Sequence, residues 1–188
     1  MSAGPTPKAN PMRVFQSAWY RVALLFFAVY IGAFWFVLGP GNPWYALLVV
    51  WGTCSLVPAV PVAVMRRVSP RWFRVRAGER ILHRIAGVGI FGRLLDVCGW
   101  NRRVAEPLRG FSGKRAGLLF LQQQARAGAI SHGICFAIHA LLAAFALFST
   151  RPWIGAAWML APGVVVHLYP VLLQRSMMLR LQPLLDRL

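Results

Sequence analysis

The chain has 188 residues, 58% of them hydrophobic and only 13% charged, about half the charged share of an average soluble domain. Lys and Arg number 21 against 4 Asp and Glu, a formal charge of +17. Intrinsic disorder is excluded and a water-soluble globule disfavoured. A nucleic-acid binder would share the charge but not the mean hydropathy of +0.57, which leaves an all-α integral membrane protein facing an anionic surface.

Residues 1–17 read as a tail, proline-rich over its first dozen positions. A spanning helix needs about 20 mostly apolar residues, and four stretches qualify: Ala18–Gly39, Tyr45–Met65, Ala129–Ser149 and Trp153–Gln174. The first run is too long for the core of a cleaved signal peptide and no A-x-A site follows it, so it reads as an uncleaved anchor. Gly39-Pro40-Gly41-Asn42-Pro43-Trp44 and Thr150-Arg151-Pro152 are short, breaker-rich connections. They predict two antiparallel transmembrane hairpins, 18–65 and 129–174. Pro58 and Pro61 in the second span, and Pro162-Gly163 and Pro170 in the fourth, must distort their helices.

Between the hairpins lies a basic segment, 66–128, and after them a tail, 175–188. Of the 21 Lys and Arg, 14 fall in the basic segment and all but Arg151 lie on one side of the predicted membrane. The positive-inside rule then predicts a multi-pass cell-membrane protein with both termini and the basic segment cytoplasmic. Trp44, Tyr45, Trp153 and Trp158 are expected at the outer interface as an aromatic belt. Within the basic segment Ile81, Ile85, Val88 and Leu95 recur at helical spacing opposite Arg80, His83, Arg84 and Asp96. A break is expected near Gly87-Val88-Gly89. Such a basic amphipathic stretch lies on a membrane surface; alternatively Arg80, Arg84 and their neighbours hold the phosphates of a ligand, for which the planar guanidinium fork suits.

Ionisable side chains inside spans mark functional sites by default. His132 and His139, seven residues apart, share a face of the third span. His167, seven residues before Gln174, lies at the same depth as His132 on the returning fourth span, about 10 Å from the inner edge at 1.5 Å per residue. Each histidine either hydrogen-bonds a neighbouring helix as a neutral ring or, for His132 and His167, flanks a cavity open to the cytoplasm, with Tyr169 beside it. Glu79 sits four residues before His83, on one helical face, and reads either as an ion-pair partner or as a catalytic carboxylate. Cys54, Cys98 and Cys135 have no metal-type spacing, and no nucleophile-elbow, zinc-protease, phosphate-loop or dinucleotide motif occurs.

Two blocks carry a family resemblance. The first is Arg71-Trp72-Phe73-Arg74, Glu79-Arg80, His83-Arg84, Gly87-Val88 and Arg93-Leu94-Leu95; the second is Tyr169-Pro170, Gln174-Arg175 and Arg180. Over roughly 66–188 the chain resembles the glycosyl-4,4'-diaponeurosporenoate acyltransferases, small bacterial membrane proteins. It departs from them at His83, where the family tends to have Tyr, and at His167, near a usual Asn. Ser176, Met177 and Met178 also differ, and no acidic residue stands shortly before His132, where the family's third span tends to begin with one. The resemblance implies a membrane-bound O-acyltransferase in carotenoid-type lipid biosynthesis, esterifying a hydroxyl of a hydrophobic, carotenoid-glycoside-like acceptor. An acyl-CoA or acyl-carrier thioester would be the donor, with no resident cofactor or metal. His132 or His167 would serve as general base and Glu79 as a further catalytic candidate. Arg80, Arg84, Asn101, Arg126, Tyr169, Gln174 and Arg175 would bind substrate. The expected partners are membrane lipids, donor and acceptor, with no nucleic acid. The alternative is a non-catalytic membrane protein that binds anionic lipid or a partner enzyme through the basic segment.

Overall fold

The computed structural model describes residues 11–57, 68, 72, 74–76, 78–109 and 115–187. Among these there is no strand. Helix α1 spans Pro11–Leu38 and α2 Pro43–Leu56. Two short helices follow, α3 (Glu79–Ile85) and α4 (Val88–Val97), then a π-helical turn at Asn101–Ala105 running into α5 (Glu106–Arg109). A 3-10 turn, Arg115–Gly117, leads into α6 (Leu118–Ala146). The last stretch is one continuous helix, α7 (Pro152–Gly163), a π turn (Val164–Leu168) and α8 (Tyr169–Leu185).

Among the described residues, three helical stretches are long and apolar enough to cross a membrane: Arg21–Leu38, Leu118–Ala146 and Pro152–Leu185. The expected second span is represented by α2, whose 14 residues reach about 21 Å at 1.5 Å each. Positions 58–67, with Pro58 and Pro61, lie outside the described residues. Helix α1 begins earlier than the sequence suggests, at Pro11, a residue whose fixed φ and missing N–H suit the first turn.

Side-chain contacts give the register. Tyr45 donates to the Ile31 carbonyl at 3.2 Å, and a Cβ on Gly52 would strike the Phe27 ring, so α2 runs antiparallel to α1. Gly155 lies against Ala146, Gly163 against His139, and Gln174 against Gly128, while Leu181 clusters with Leu118 and Leu121. Moving forward along α6 therefore means moving back along α7–α8. The contacts at Gly155, Gly163 and Gly128 are made where small residues let helix backbones approach, the usual packing device where lipid offers no hydrophobic drive. The two tight connections come together at one end, around a cavity of about 500 Å³ lined by Gly39–Trp44 and Ser149–Arg151. This is the loop end; the opposite, basic end carries α3 and α4.

The surface is apolar and the interior partly polar. Phe36 and Phe148 are 89% and 90% exposed, whereas Thr53, His139 and His167 are 0% exposed. That inversion belongs to a molecule solvated by lipid. Trp44 and Trp153 are exposed at the loop end, as an aromatic belt requires. Tyr45 is not part of it: its ring is fully buried, packed edge-on against Trp35, and its hydroxyl is satisfied by a helix carbonyl.

Helices α3 and α4 meet at the expected break, where Gly87 takes a left-handed φ of 67°. Their apolar face points outward: Ile81, Leu82, Ile85, Ile90, Leu94, Val97 and Trp100 are all exposed. Of the polar side, Arg80, Arg84 and Asp96 are exposed as well, and His83 turns inward and is buried, as is Val88 of the expected apolar face. Tyr169 of α8 donates to the Ala86 carbonyl at 2.9 Å and stacks on Phe91 with centroids 4.7 Å apart, fixing the pair to α8.

A Cβ on Gly163 would stand 2.5 Å from the His139 Cβ, so the two helices must separate to admit it. Gly163→Ala should lower the thermal midpoint in detergent by the equivalent of about 1–3 kcal/mol, the usual cost of overpacking. Gly133→Ala, where a Cβ meets nothing within 4 Å, should leave the midpoint unchanged.

Candidate active site

The buried polar residues converge from three elements. Two prolines shape the first of these. Pro162 and Pro170 each lack the N–H that an α-helix would use. Between them the helix widens, and the Tyr169 N–H bonds back to the Val164 carbonyl, five residues earlier. Single π turns of this kind occur often at functional sites, and this one carries His167. Helix α6 contributes His132, Cys135 and His139 from one face. Helix α2 contributes Thr53.

The histidine rings and the threonine form one chain of contacts. Nδ1 of His132 lies 3.1 Å from Nδ1 of His167. Nε2 of His167 lies 2.9 Å from Oγ1 of Thr53, and that oxygen lies 3.3 Å from Nε2 of His139. Nδ1 of His139 lies 2.8 Å from the Met159 carbonyl oxygen. Carbonyls accept only, so His139 donates there. Thr53 also approaches the carbonyls of Val49 and Val50, at 2.8 and 3.0 Å, and Cys135 Sγ donates to the Thr53 carbonyl at 3.3 Å. His167, His139 and Thr53 are sealed, while His132 is half-buried at the end of the chain nearest the basic segment.

The sequence places His132 and His167 at matched depth, and they meet. It treats His139 as separate, yet the His139 and His167 ring centroids are 5.3 Å apart and Thr53 links them. Thr53 is the residue that sequence reasoning missed. A signal was present: it lies eleven residues past Asn42 of the first connection, as His139 lies eleven before Thr150 of the second, so the two are at one depth.

Gln174, two turns past His167, packs its amide against Gly128; its Oε1 is buried without a hydrogen-bond partner. Arg126 is half-buried on α6, two turns before His132. The other predicted residues are placed apart from the histidines. Arg175 grips Glu79 with a two-pronged contact, Nε to Oε2 and Nη2 to Oε1 at 2.9 Å each, gives Nη1 to the Trp72 carbonyl at 2.8 Å, and lies over the Trp72 ring. Glu79 also accepts the Arg76 N–H at 3.2 Å. Glu79, Arg175 and Tyr169 thus tie the basic segment to α8. Asn101 donates to Asp96, and Arg80 and Arg84 are exposed on α3. Among the described residues no three His, Cys, Asp or Glu side chains are arranged to hold a metal ion.

With this geometry in view, the comparison with known families is decisive. The sequence model of the CrtO family, glycosyl-4,4'-diaponeurosporenoate acyltransferase, matches residues 69–187. The chain belongs to this family. No curated protein and no solved structure matches it. The matched region contains His83, His132, His139 and His167 and the Glu79–Arg175 pair; Thr53 lies before it.

Burial pushes the Glu79 carboxyl up, but the Arg175 hydrogen bond, the Arg76 N–H and the Arg175 charge outweigh it and hold the group below its ordinary value. His83, beside it, is lowered by burial and by Arg175 against the opposing pull of Glu79. A carboxylate with a depressed folded pKa contributes stability that is complete above its unfolded value of about 4.3 and lost as pH falls through the folded value. Acidification from pH 6 to pH 3 should therefore lower the thermal midpoint of the wild type more than that of Glu79→Gln. Parallel curves for the two proteins would show that the ion pair does not hold the segment.

Proposed function

We propose that the protein is a membrane-bound O-acyltransferase that moves a fatty acyl group from a thioester to a hydroxyl of a lipid or glycolipid acceptor, with His132 as general base. The observation that carries this reading is the half-open His132 ring backed by the sealed His167 ring. A neutral imidazole takes a proton near pH 7, and His132 is the member of the pair that a substrate reaches. The family name supplies the reaction class and suggests a carotenoid-glycoside-like acceptor.

The acceptor oxygen attacks the thioester carbonyl carbon as His132 removes the hydroxyl proton. The tetrahedral oxyanion then collapses, the carbon–sulfur bond breaks, and the thiolate leaves with a proton returned by the imidazolium. The Gln174 amide, on the face of α8 two turns from His167, is the group suited to steady the oxyanion. The acyl chain lies against the apolar helix surfaces. The exposed Arg80 and Arg84 meet the phosphates of the donor or of the membrane.

In this reading the chain crosses the membrane four times in two hairpins, with the basic end cytoplasmic. The 20-to-1 partition of Lys and Arg supports that orientation. Single cysteines placed at Asn42 or Arg151 should label from outside intact cells; labelling from the cytoplasmic side alone would reverse the topology.

The non-catalytic alternative draws on a different observation, the outward apolar face of α3 and α4 rimmed by arginines, which suits an anionic membrane surface. One substitution separates the two. If His132 is the base, His132→Ala should cut transfer of labelled acyl groups in isolated membranes by about 10²–10⁴-fold, the usual contribution of general-base catalysis, with the protein still inserted. His167→Ala should also impair it. Activity within a few-fold of wild type in both variants would remove the histidine mechanism.

A further inference from the structure

The proton order along the buried chain is determined by its ends. The Met159 carbonyl accepts from Nδ1 of His139, so a neutral His139 has a bare Nε2. That nitrogen faces Oγ1 of Thr53 at 3.3 Å. The hydroxyl has one proton. It goes either to His139 Nε2 or back to the Val49 carbonyl at 2.8 Å, and in both cases Oγ1 is an acceptor toward His167. Sending the proton to His167 instead would leave the lone pairs of Oγ1 facing both acceptors, His139 Nε2 and the Val49 carbonyl, rather than one of them, in a pocket where Thr53, His139 and His167 have no solvent exposure. His167 therefore donates from Nε2 across the 2.9 Å contact and has a bare Nδ1. His132 must then donate from its own Nδ1 across 3.1 Å, which leaves Nε2 of His132 bare.

We infer that Thr53 is a positioning residue: its hydroxyl, acting as an acceptor toward His167, sets the tautomers of His167 and His132 so that Nε2 of His132, the ring nitrogen not engaged by His167, is the one able to take a proton. This inference rests on the reading of His132 as the base and names what makes it one. Thr53 is well held for the task. Its Oγ1 lies 2.8 and 3.0 Å from the carbonyl oxygens of Val49 and Val50 one turn back on α2, and its own carbonyl receives the Cys135 thiol of α6. A valine at this position keeps the shape and removes the acceptor. His167 would then be free to place its proton on Nδ1 and donate it to His132. The proton of His132 would move to Nε2, and the base would be lost.

The test is ¹⁵N spectroscopy on full-length protein with labelled histidines in lipid nanodiscs, assigned through single His→Gln variants, together with acyl transfer. In the wild type, His132 and His139 should be protonated at Nδ1 and His167 at Nε2. Thr53→Val should shift the His132 and His167 resonances toward the reversed tautomers and reduce acyl transfer by about 10²-fold, the lower end of what general-base catalysis supplies. Thr53→Ser should restore both. A wild-type spectrum with His132 protonated at Nε2 overturns the inference whether or not the valine variant folds, as do unchanged resonances in a folded Thr53→Val protein. An active His132→Ala enzyme with the expected proton order would refute only the assignment of His132 as base and leave the role of Thr53 in setting the tautomers standing.

Discussion

Burying polar groups among lipid-solvated helices is tolerable only if they satisfy one another, and here that constraint ties the bundle together. Thr53, His139 and His167 come from three different stretches of chain and have no solvent exposure. Each must find its partner in another element. A register slip of one residue on α2, α6 or the π turn would leave at least one ring nitrogen or hydroxyl unpaired. A buried unmade hydrogen bond costs about 1–3 kcal/mol, comparable to a sizeable core substitution. The small residues along α6 and α7 allow the approach; the histidine chain selects which approach is made.

The same logic explains the orientation of α3 and α4. Read as an amphipathic helix on a soluble protein, this stretch would bury Ile81 and Ile85 and expose Glu79 and His83. The reverse arrangement is favourable because the apolar face has lipid available, whereas Glu79 gains the Arg175 fork only by facing α8. A two-pronged charged contact that is mostly shielded from water is worth more than an exposed ion pair. Tyr169 adds a second anchor from the element that carries His167. The basic segment is thereby held to the helix of the candidate site, two residues beyond its central histidine.

Much of this was legible in the sequence, for identifiable reasons. Hydropathy marks the long helices because a membrane imposes a length. The Gly87 break was visible because a glycine cluster interrupts an amphipathic period. The His132–His167 meeting followed from counting residues back from two connections. Three features were not legible. Tyr45 reads as an interfacial aromatic by type, and only the placement of the Ile31 carbonyl makes it a core residue. The inward turn of His83 depends on which partner Glu79 finds. The role of Thr53 depends on α2 packing beside the place where α6 meets the π turn, an arrangement of helices that no periodicity encodes.

The missing carboxylate before His132 takes on a different meaning in this arrangement. An acid beside a catalytic imidazole fixes its tautomer and orientation. Sequence comparison alone makes its absence look like a lost function. Here His167 stands on the Nδ1 side of His132. A neutral imidazole can orient a neighbour as a carboxylate does only if its own proton is held on the far nitrogen, since otherwise it presents a donor where an acceptor is needed. That requirement passes the burden one step further, to an acceptor on Nε2 of His167. Thr53 supplies it from outside the segment the family model covers. On the inference drawn above, the α1–α2 pair does more than pack beside the family region: it brings the hydroxyl on which the proton order of the histidine pair depends.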